Sequence, residues 1–377
     1  MNGPTINHDE GKRMSENHQA PPDDLDPVQA ALNRAVSRRT LLRGAALGGA
    51  ALSTPALLAA CDVGGGDDEA AATTQTGTAA QKRNLTYYSV THGESGNVFW
   101  AIYRNGIRDG QRVYGVTVKD LPLEQFAVAG YVDLLNQAIA AKPDGIFCSI
   151  LDQNAVDAPL RQAIEDGIPV IAVNVPDTRN LAQRIPYMFY VGGDEEAGGR
   201  LTAQRQLQDG DITHGVCIIH EPGHTGLEAR CRGYTAALRA AGAKVDKLPS
   251  SKDATQATEQ IKGYLQENTD VDAIFGVGPQ PATFALQALD ELGKKGDVRV
   301  SAYDMTEDLL TEIDNDTLVS TIDQQQYLQG YEPIHWLTQH IEHGFVMAPG
   351  VDMLTGPAMV DKSNSAKVAE GVQAGFR

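Results

Sequence analysis

The chain has 377 residues, of which 42% are hydrophobic and 21% charged, and a formal net charge of −18. That length holds one large α/β domain or two lobes of ordinary size. The acidic balance excludes a nucleic-acid partner, which needs clustered basic side chains, and suits a neutral or cationic small ligand.

The residues before Ser37 are polar and rich in Pro and Asp and read as a disordered extension. Then come Ser37-Arg38-Arg39-Thr40-Leu41-Leu42-Arg43, an uncharged run over 44–60 and Cys61. A twin arginine, an apolar core and a cysteine behind Leu58-Ala59-Ala60 have the form of a twin-arginine export signal that ends in a lipoprotein box. The alternative is an uncleaved transmembrane anchor. The run has only the length of the shortest spanning helices, is rich in Gly and Ala, and is interrupted by Pro55. The expectation is that 1–60 are removed and that Cys61 carries lipid on its sulfur. The protein is then exported and anchored on the outer face of the cytoplasmic membrane. Removal takes away six basic and six acidic residues, so the remaining 317 residues keep the charge of −18. Residues 61–83, rich in Gly, Ala, Thr and Asp, cannot bury a core and read as a flexible tether.

From Asn84 the chain alternates. A buried strand is expected over 85–90, a helix from about Asn97 and a strand over 113–118. The next helix carries Tyr131, Leu134, Leu135, Ala138 and Ile139 at the spacing of one buried face. A strand over 146–150, a helix over 154–165 and a strand over 168–173 follow. The alternation repeats, with strands at 188–191, 216–220, 244–248, 271–277, 298–303 and 319–322. Helices at 195–208, 226–241, 254–267 and 281–292 lie between them, and a long helix over 325–342 comes last. Strands that alternate with single helices give parallel sheets with right-handed crossovers. Two such series of similar length predict two Rossmann-like lobes.

Open parallel sheets bind ligands beyond the carboxyl ends of their strands. There the chain places His92, Asn97, Phe99 and Trp100, then Ser149, Asp152 and Asn174, and in the second series His220, Glu221, His224, Arg230, Gln280, Asp304 and Gln324. Amides, one arginine and one carboxylate can bridge neighbouring hydroxyls with paired hydrogen bonds, and the aromatic faces suit the C–H faces of a sugar ring. Such a set fits a polyhydroxylated ligand. Structural uses compete: Asn97 and Asp152 as helix caps, Phe99 and Trp100 as core. His92, His220, His224 and Glu221 lack a zinc-binding spacing on a helix, so neither a metal nor a cofactor is expected. Cys148, Cys217 and Cys231 read as buried thiols, with a Cys217–Cys231 bridge left open.

From Asn84 to about Leu354 the chain resembles the periplasmic sugar-binding proteins of the ribose and galactose/glucose type. Asn97-Val98-Phe99-Trp100 resembles their Asn-Pro-Phe-(Phe/Trp), and Tyr131 to Phe147 their helix–Asp-Gly-Ile segment. Ile168-Pro169-Val170 with Asn174, Glu221-Pro222-Gly223-His224 with Glu228-Ala229-Arg230, Tyr303-Asp304 and Thr321-Ile322-Asp323-Gln324 match further stretches in order and spacing. The chain departs from the pattern at four places. His92-Gly93-Glu94-Ser95 lengthens the first loop, and Gly278-Pro279 replaces Asn-Asp. Val175 stands where ribose binders have an arginine, and Gly226 lies near a position where galactose/glucose binders use an Asp. The identity of the sugar therefore does not carry over.

The resemblance implies a type I periplasmic binding protein. Its two lobes are 84–192 plus 325–353 and 193–324 plus 354–377, with three hinge crossovers near Gly192, Gln324 and Leu354. The ligand-binding set is His92, Asn97, Phe99, Trp100, Ser149, Asp152, Asn174, His224, Arg230, Gln280, Asp304 and Gln324. The implied function is a monomeric, non-enzymatic receptor lipoprotein that delivers a monosaccharide or polyol to an ABC-type permease with its ATPase. Competing readings are a ligand sensor that signals to a chemoreceptor or kinase, an exported hydrolase with Asp304 and Glu221 as acid and base, and a regulator of the lactose-repressor type. That last class begins with a helix-turn-helix, where this chain has its signal and tether.

Overall fold

The computed structural model describes residues 82–94, 97–123 and 127–377. The export signal, Cys61, the tether as far as Gln81, and Ser95 lie outside the described residues.

The first strand, β1 (Thr86–Glu94), is followed by α1 (Val98–Tyr114), β2 (Thr117–Leu123), α2 (Val128–Ala140), β3 (Gly145–Cys148), α3 (Gln153–Glu165), β4 (Val170–Val173) and β5 (Tyr190–Gly193). The second series comprises α4 (Glu195–Leu207), β6 (His214–Ile219), α5 (Thr225–Ala240), β7 (Lys244–Pro249), α6 (Ala254–Glu267), β8 (Ala273–Gly276), α7 (Pro279–Glu291), β9 (Arg299–Ser301), α8 (Glu307–Asp314) and β10 (Thr321–Asp323). The chain closes with α9 (Gln326–His343), β11 (Met353–Gly356), β12 (Ala358–Val360) and α10 (Ser365–Gln373).

One all-parallel sheet runs in the order β11-β5-β4-β3-β1-β2, the other in the order β7-β6-β8-β9. The antiparallel pair β10-β12 continues the second sheet, because Ala302 N donates to Ser320 O at 2.9 Å and Asp304 N to Ile322 O at 2.8 Å. The inner strands β3, β4, β5, β6 and β8 are buried at every residue, as strands covered on both faces must be. In β1, Tyr87 faces a layer with Trp100, Tyr103, Ile334 and Leu337 from α1 and α9, and Tyr88 the opposite layer with Tyr131, Leu135 and Leu160 from α2 and α3. The second sheet is sandwiched the same way. Cys217, Cys231 and Tyr234 lie on the α4–α5 side, and Val216, Ile261, Leu289 and Leu309 on the α6–α8 side. Cys217 of β6 and Cys231 of α5 form a disulfide, which settles the pairing left open above, and Cys148 is a buried free thiol.

Several boundaries differ from the sequence reading, among them the end of β1, which runs to Glu94 where a loop was expected after residue 90. The strand expected over 113–118 is helix as far as Tyr114, then a turn at Gly115 (φ 62), then β2 from Thr117. β2 is an edge strand with exposed Thr117 and Lys119 and a single buried residue, Leu123, so its pattern is only weakly apolar. Helix α7 starts at Pro279, which fits the first turn because its missing N–H is not needed there. The last crossing between the sheets falls at Pro357 rather than near Leu354, because Met353 and Leu354 pair with β5. The short elements β11, β12, α8 and α10 add to the elements expected from the sequence.

Glycines set two close helix contacts. A Cβ on Gly106 or Gly330 would overlap the backbone where α1 meets α9; a Cβ on Gly199 or Gly233 would do the same where α4 meets α5. Each pair brings two backbones together behind a sheet, and the α4–α5 pair carries Arg230. Gly233→Ala is expected to cost about 1–3 kcal/mol by overpacking. Gly263→Ala, whose Cβ would enter open space on α6, is expected to gain up to about 1 kcal/mol from helix propensity. Urea unfolding of the two variants checks this contrast.

Candidate functional site

The carboxyl ends of both sheets face one cavity of about 300 Å³. Its wall contains ten of the twelve candidates: His92, Asn97, Phe99, Trp100, Asn174, His224, Arg230, Gln280, Asp304 and Gln324. The described residues fall in a single compact unit, so the opposing walls belong to one body. Ser149 and Asp152 are not brought to this cavity. Ser149 is fully buried at the end of β3. Asp152 caps α3, accepting from Asn154 N at 2.9 Å and Ala155 N at 3.2 Å. His220, Glu221, Met305, Thr306 and Gln326 line the cavity beyond the predicted set.

Asp304 is the buried carboxylate of the site. It stands at φ 61, a left-handed conformation that Asp tolerates better than most residues and that turns the chain sharply after the strand. Gln324 Nε2 donates to Asp304 Oδ1 at 2.7 Å and to Oδ2 at 2.9 Å. Burial pushes its pKa from an ordinary 3.8 to about 7, against the opposing pull of Arg230 and Gln324. Asn174, also left-handed at φ 63, donates from Nδ2 to Gln329 Oε1 at 3.0 Å.

Arg230 is equally fixed. Its Nε donates to Glu195 Oε2 at 2.6 Å, its Nη1 to the Val277 carbonyl at 2.7 Å, and its guanidinium lies 3.6 Å from the Tyr303 ring centroid. Burial opposes its charge, but Glu195 outweighs that and holds the cation above its ordinary range. A guanidinium held on two sides and stacked on a ring loses little freedom when it meets a ligand. Glu195 and Tyr303 escaped the sequence reading, because nothing in spacing links them to Arg230.

Aromatic rings form the other side. Trp100 packs edge-on against Phe99, Tyr103 and His92, with centroids 5.0, 5.2 and 5.0 Å away. Gly93 makes this possible, since any Cβ there would overlap the Trp100 ring. His224 caps α5, its Nδ1 accepting from Gly226 N and Leu227 N at 3.2 and 3.4 Å. Its proton therefore sits on Nε2, which faces His92 Nε2 at 3.5 Å across the cleft. Burial holds His92 well below, and His224 below, the ordinary histidine range, which favours uncharged rings at neutral pH. Burial also lowers His220 to about 4. Burial works against ionisation of Glu221, but Lys252 pairs with it and keeps it below the ordinary carboxylate range.

Three buried atoms of the wall have no hydrogen-bond partner among the described residues: Gln324 Oε1, Gln326 Oε1 and His220 Nδ1. Buried polar atoms are normally satisfied, so such a convergence marks a place where a ligand supplies the partners. The two amide oxygens accept only, and with Asp304 they make the wall rich in acceptors for hydroxyl donors. Among the described residues, no group of three or more His, Cys, Asp or Glu side chains is placed to hold a metal ion.

Asp304 and His220 act oppositely on stability. Between pH 3.8 and about 7 the folded Asp304 holds a proton that the unfolded chain has released, so its contribution falls as pH rises. Between about pH 4 and 6.5 the folded His220 lacks a proton that the unfolded chain holds, so its contribution rises with pH. In the intact protein the two largely cancel. Relative to it, Asp304→Asn is expected to lose stability on acidification from pH 6.5 to 4, and His220→Gln to gain it, each on the order of 1 kcal/mol per pH unit. Denaturant unfolding across this range measures both slopes.

The model of the periplasmic binding protein domain matches residues 88–344. The xylose/arabinose-binding protein XylF of Sulfolobus acidocaldarius is 26% identical over 279 residues, which is 71% of this chain and 69% of that protein. The D-ribose/D-allose-binding protein of Pseudomonas aeruginosa is 25% identical over 242 residues, 60% and 74% of the two chains. Among solved structures, a carbohydrate transporter of Acidothermus cellulolyticus in complex with myo-inositol is 30% identical, with a TM-score of 0.70, and the match covers 78% of this chain and 100% of that one. With its two parallel α/β sheets facing a shared cavity, the chain belongs to the periplasmic binding protein family, on the type I plan of its sugar-binding members.

Proposed function

We propose that this protein is an extracytoplasmic solute-binding lipoprotein that captures a monosaccharide or cyclic polyol between its lobes and delivers it to an ABC importer. The observation that carries the reading is the acceptor-rich wall, with Gln324 Oε1, Gln326 Oε1 and Asp304 facing the same cavity as Phe99 and Trp100. Hydroxyl groups donate to the first set, and the C–H face of a ring packs on the second. The charges favour a neutral ligand. Arg230 is paired with Glu195 and Glu221 with Lys252, which leaves Asp304, among the described residues of the wall, as the carboxyl group without an ion pair and makes an acidic sugar unwelcome. The sugars named for the two relatives, and the myo-inositol of the solved structure, belong to this neutral class.

The lobes meet through three crossings, at Asp194, Gln324–Gln325 and Pro357, which serve as the hinge. The ligand stabilises the closed arrangement through its contacts on both sides. Closure also leaves a missing or misplaced hydroxyl costly, because the partner atom stays buried without a hydrogen bond. The twin arginine and Cys61 support export and a lipid anchor, and among the described residues no helix is long and apolar enough to cross a membrane.

A thermal-shift screen against pentoses, hexoses, inositols, sugar acids and amines tests the reading, since a ligand that binds only the folded state raises its melting temperature. The expected result is a shift with one neutral sugar or inositol class and none with sugar acids. Removing one buried, charge-assisted hydrogen bond with Asp304→Asn is expected to weaken binding by about 10- to 100-fold. A shift with sugar acids alone contradicts the reading.

A further inference from the structure

Beside the site lies a second cavity of about 450 Å³, and Glu221 and His224 belong to the walls of both. One side of the second cavity is the turn from β3 into α3, with Leu151, Asp152, Gln153 and Asn154; the other is the 221–225 loop. Both lobes therefore wall it, as they do the first. We propose that it is a second saccharide subsite, so that the protein accepts a glycosylated ligand whose terminal ring occupies the first cavity and whose O-linked ring occupies the second. The inference rests on the saccharide reading of the first cavity and extends it.

The chemistry of the second wall matches a sugar ring. One Asp152 oxygen caps α3, and the other takes no hydrogen bond among the described residues. Gln153 Oε1 receives Thr178 N and Oγ1, each at 3.3 Å, which orients the amide and leaves its NH2 group to donate. The Asn154 amide is exposed in the same wall. Leu151 and Pro222 add apolar surface for the C–H face. Carboxylate oxygen, amide donor and apolar face together repeat in kind what the first cavity offers. His224 stands in the walls of both cavities and meets His92 Nε2 at 3.5 Å, and the 221–225 loop turns at Gly223 (φ 88). A glycosidic oxygen passing between the cavities displaces this imidazole contact. Asp152, which the first cavity does not use, acquires a ligand role here.

Isothermal titration with four pairs tests the proposal: xylose and xylobiose, glucose and cellobiose, galactose and melibiose, myo-inositol and galactinol. In at least one pair the larger ligand is expected to bind within tenfold of the smaller. Thr178→Trp, which fills the second cavity from an exposed position, is expected to weaken that larger ligand by tenfold or more and to change the smaller by less than twofold. A melting curve of the variant confirms that it folds. A penalty above tenfold for the larger partner in every pair, or an equal effect of Thr178→Trp on both partners, overturns the proposal. If neither member of any pair binds, this inference is overturned, and if the thermal-shift screen also finds no neutral sugar or inositol, the saccharide reading of the first cavity fails with it.

Discussion

Gln324 is the residue on which the rest of the arrangement depends. Its side chain grips both oxygens of Asp304, and its own carbonyl accepts from Thr355 Oγ1 at 2.7 Å and from Gln329 Nε2 at 3.2 Å. Gln329 in turn holds the Asn174 amide. A single crossing segment thus joins polar residues at the ends of both sheets. The next residue, Gln325, occupies left-handed space at φ 53, and its Nε2 donates to Thr355 O at 2.6 Å. Strain of this kind persists only where the surroundings hold it. Here they do: Asp323 accepts from Gln325 N and pairs with Arg377, and Asp194 N donates to Gly356 O. The three crossings are tied to one another at the place where bending is proposed, so movement there reaches Asp304 and Asn174 directly.

The second constraint is burial of charge. A lone buried carboxylate is costly, and the structure answers with the Gln324 amide, the nearby Arg230 cation and a pKa of about 7. Arg230 is immobilised by Glu195, the Val277 carbonyl and Tyr303, and the neighbouring Cys231 is tied to β6. The cation is therefore part of a rigid wall. That rigidity suits recognition of a small neutral ring, because few side chains have to be ordered when it arrives.

The alternation of strands and helices was legible because buried parallel strands are continuous apolar runs and amphipathic helices repeat on a helical period. β2 was misjudged because an edge strand needs little apolar surface. Asn97, Asn174, His224, Arg230, Asp304 and Gln324 could be named because strand ends are where such folds collect polar groups. Gln326 could not: it lies inside a run of three glutamines, and only the fold shows that its Oε1 is buried in the wall without a partner among the described residues. Asn97, Asp152 and His224 all cap helices, so for them the structural and ligand readings were not exclusive. For Asp152 the cap was legible in sequence, and the structure has it, but the distance from the main cavity was not, since that depends on the turn after β3. The Glu195–Arg230–Tyr303 stack is a purely tertiary arrangement.

Small-angle X-ray scattering of the purified protein, free and saturated with whichever sugar or polyol it binds, tests the central claim most directly. If the ligand is held from both lobes and the crossings at Asp194, Gln324 and Pro357 bend, saturation lowers the radius of gyration and shifts the scattering curve at intermediate angles. Tight binding with superimposable curves in the two states would contradict hinge closure and leave a rigid pocket in its place.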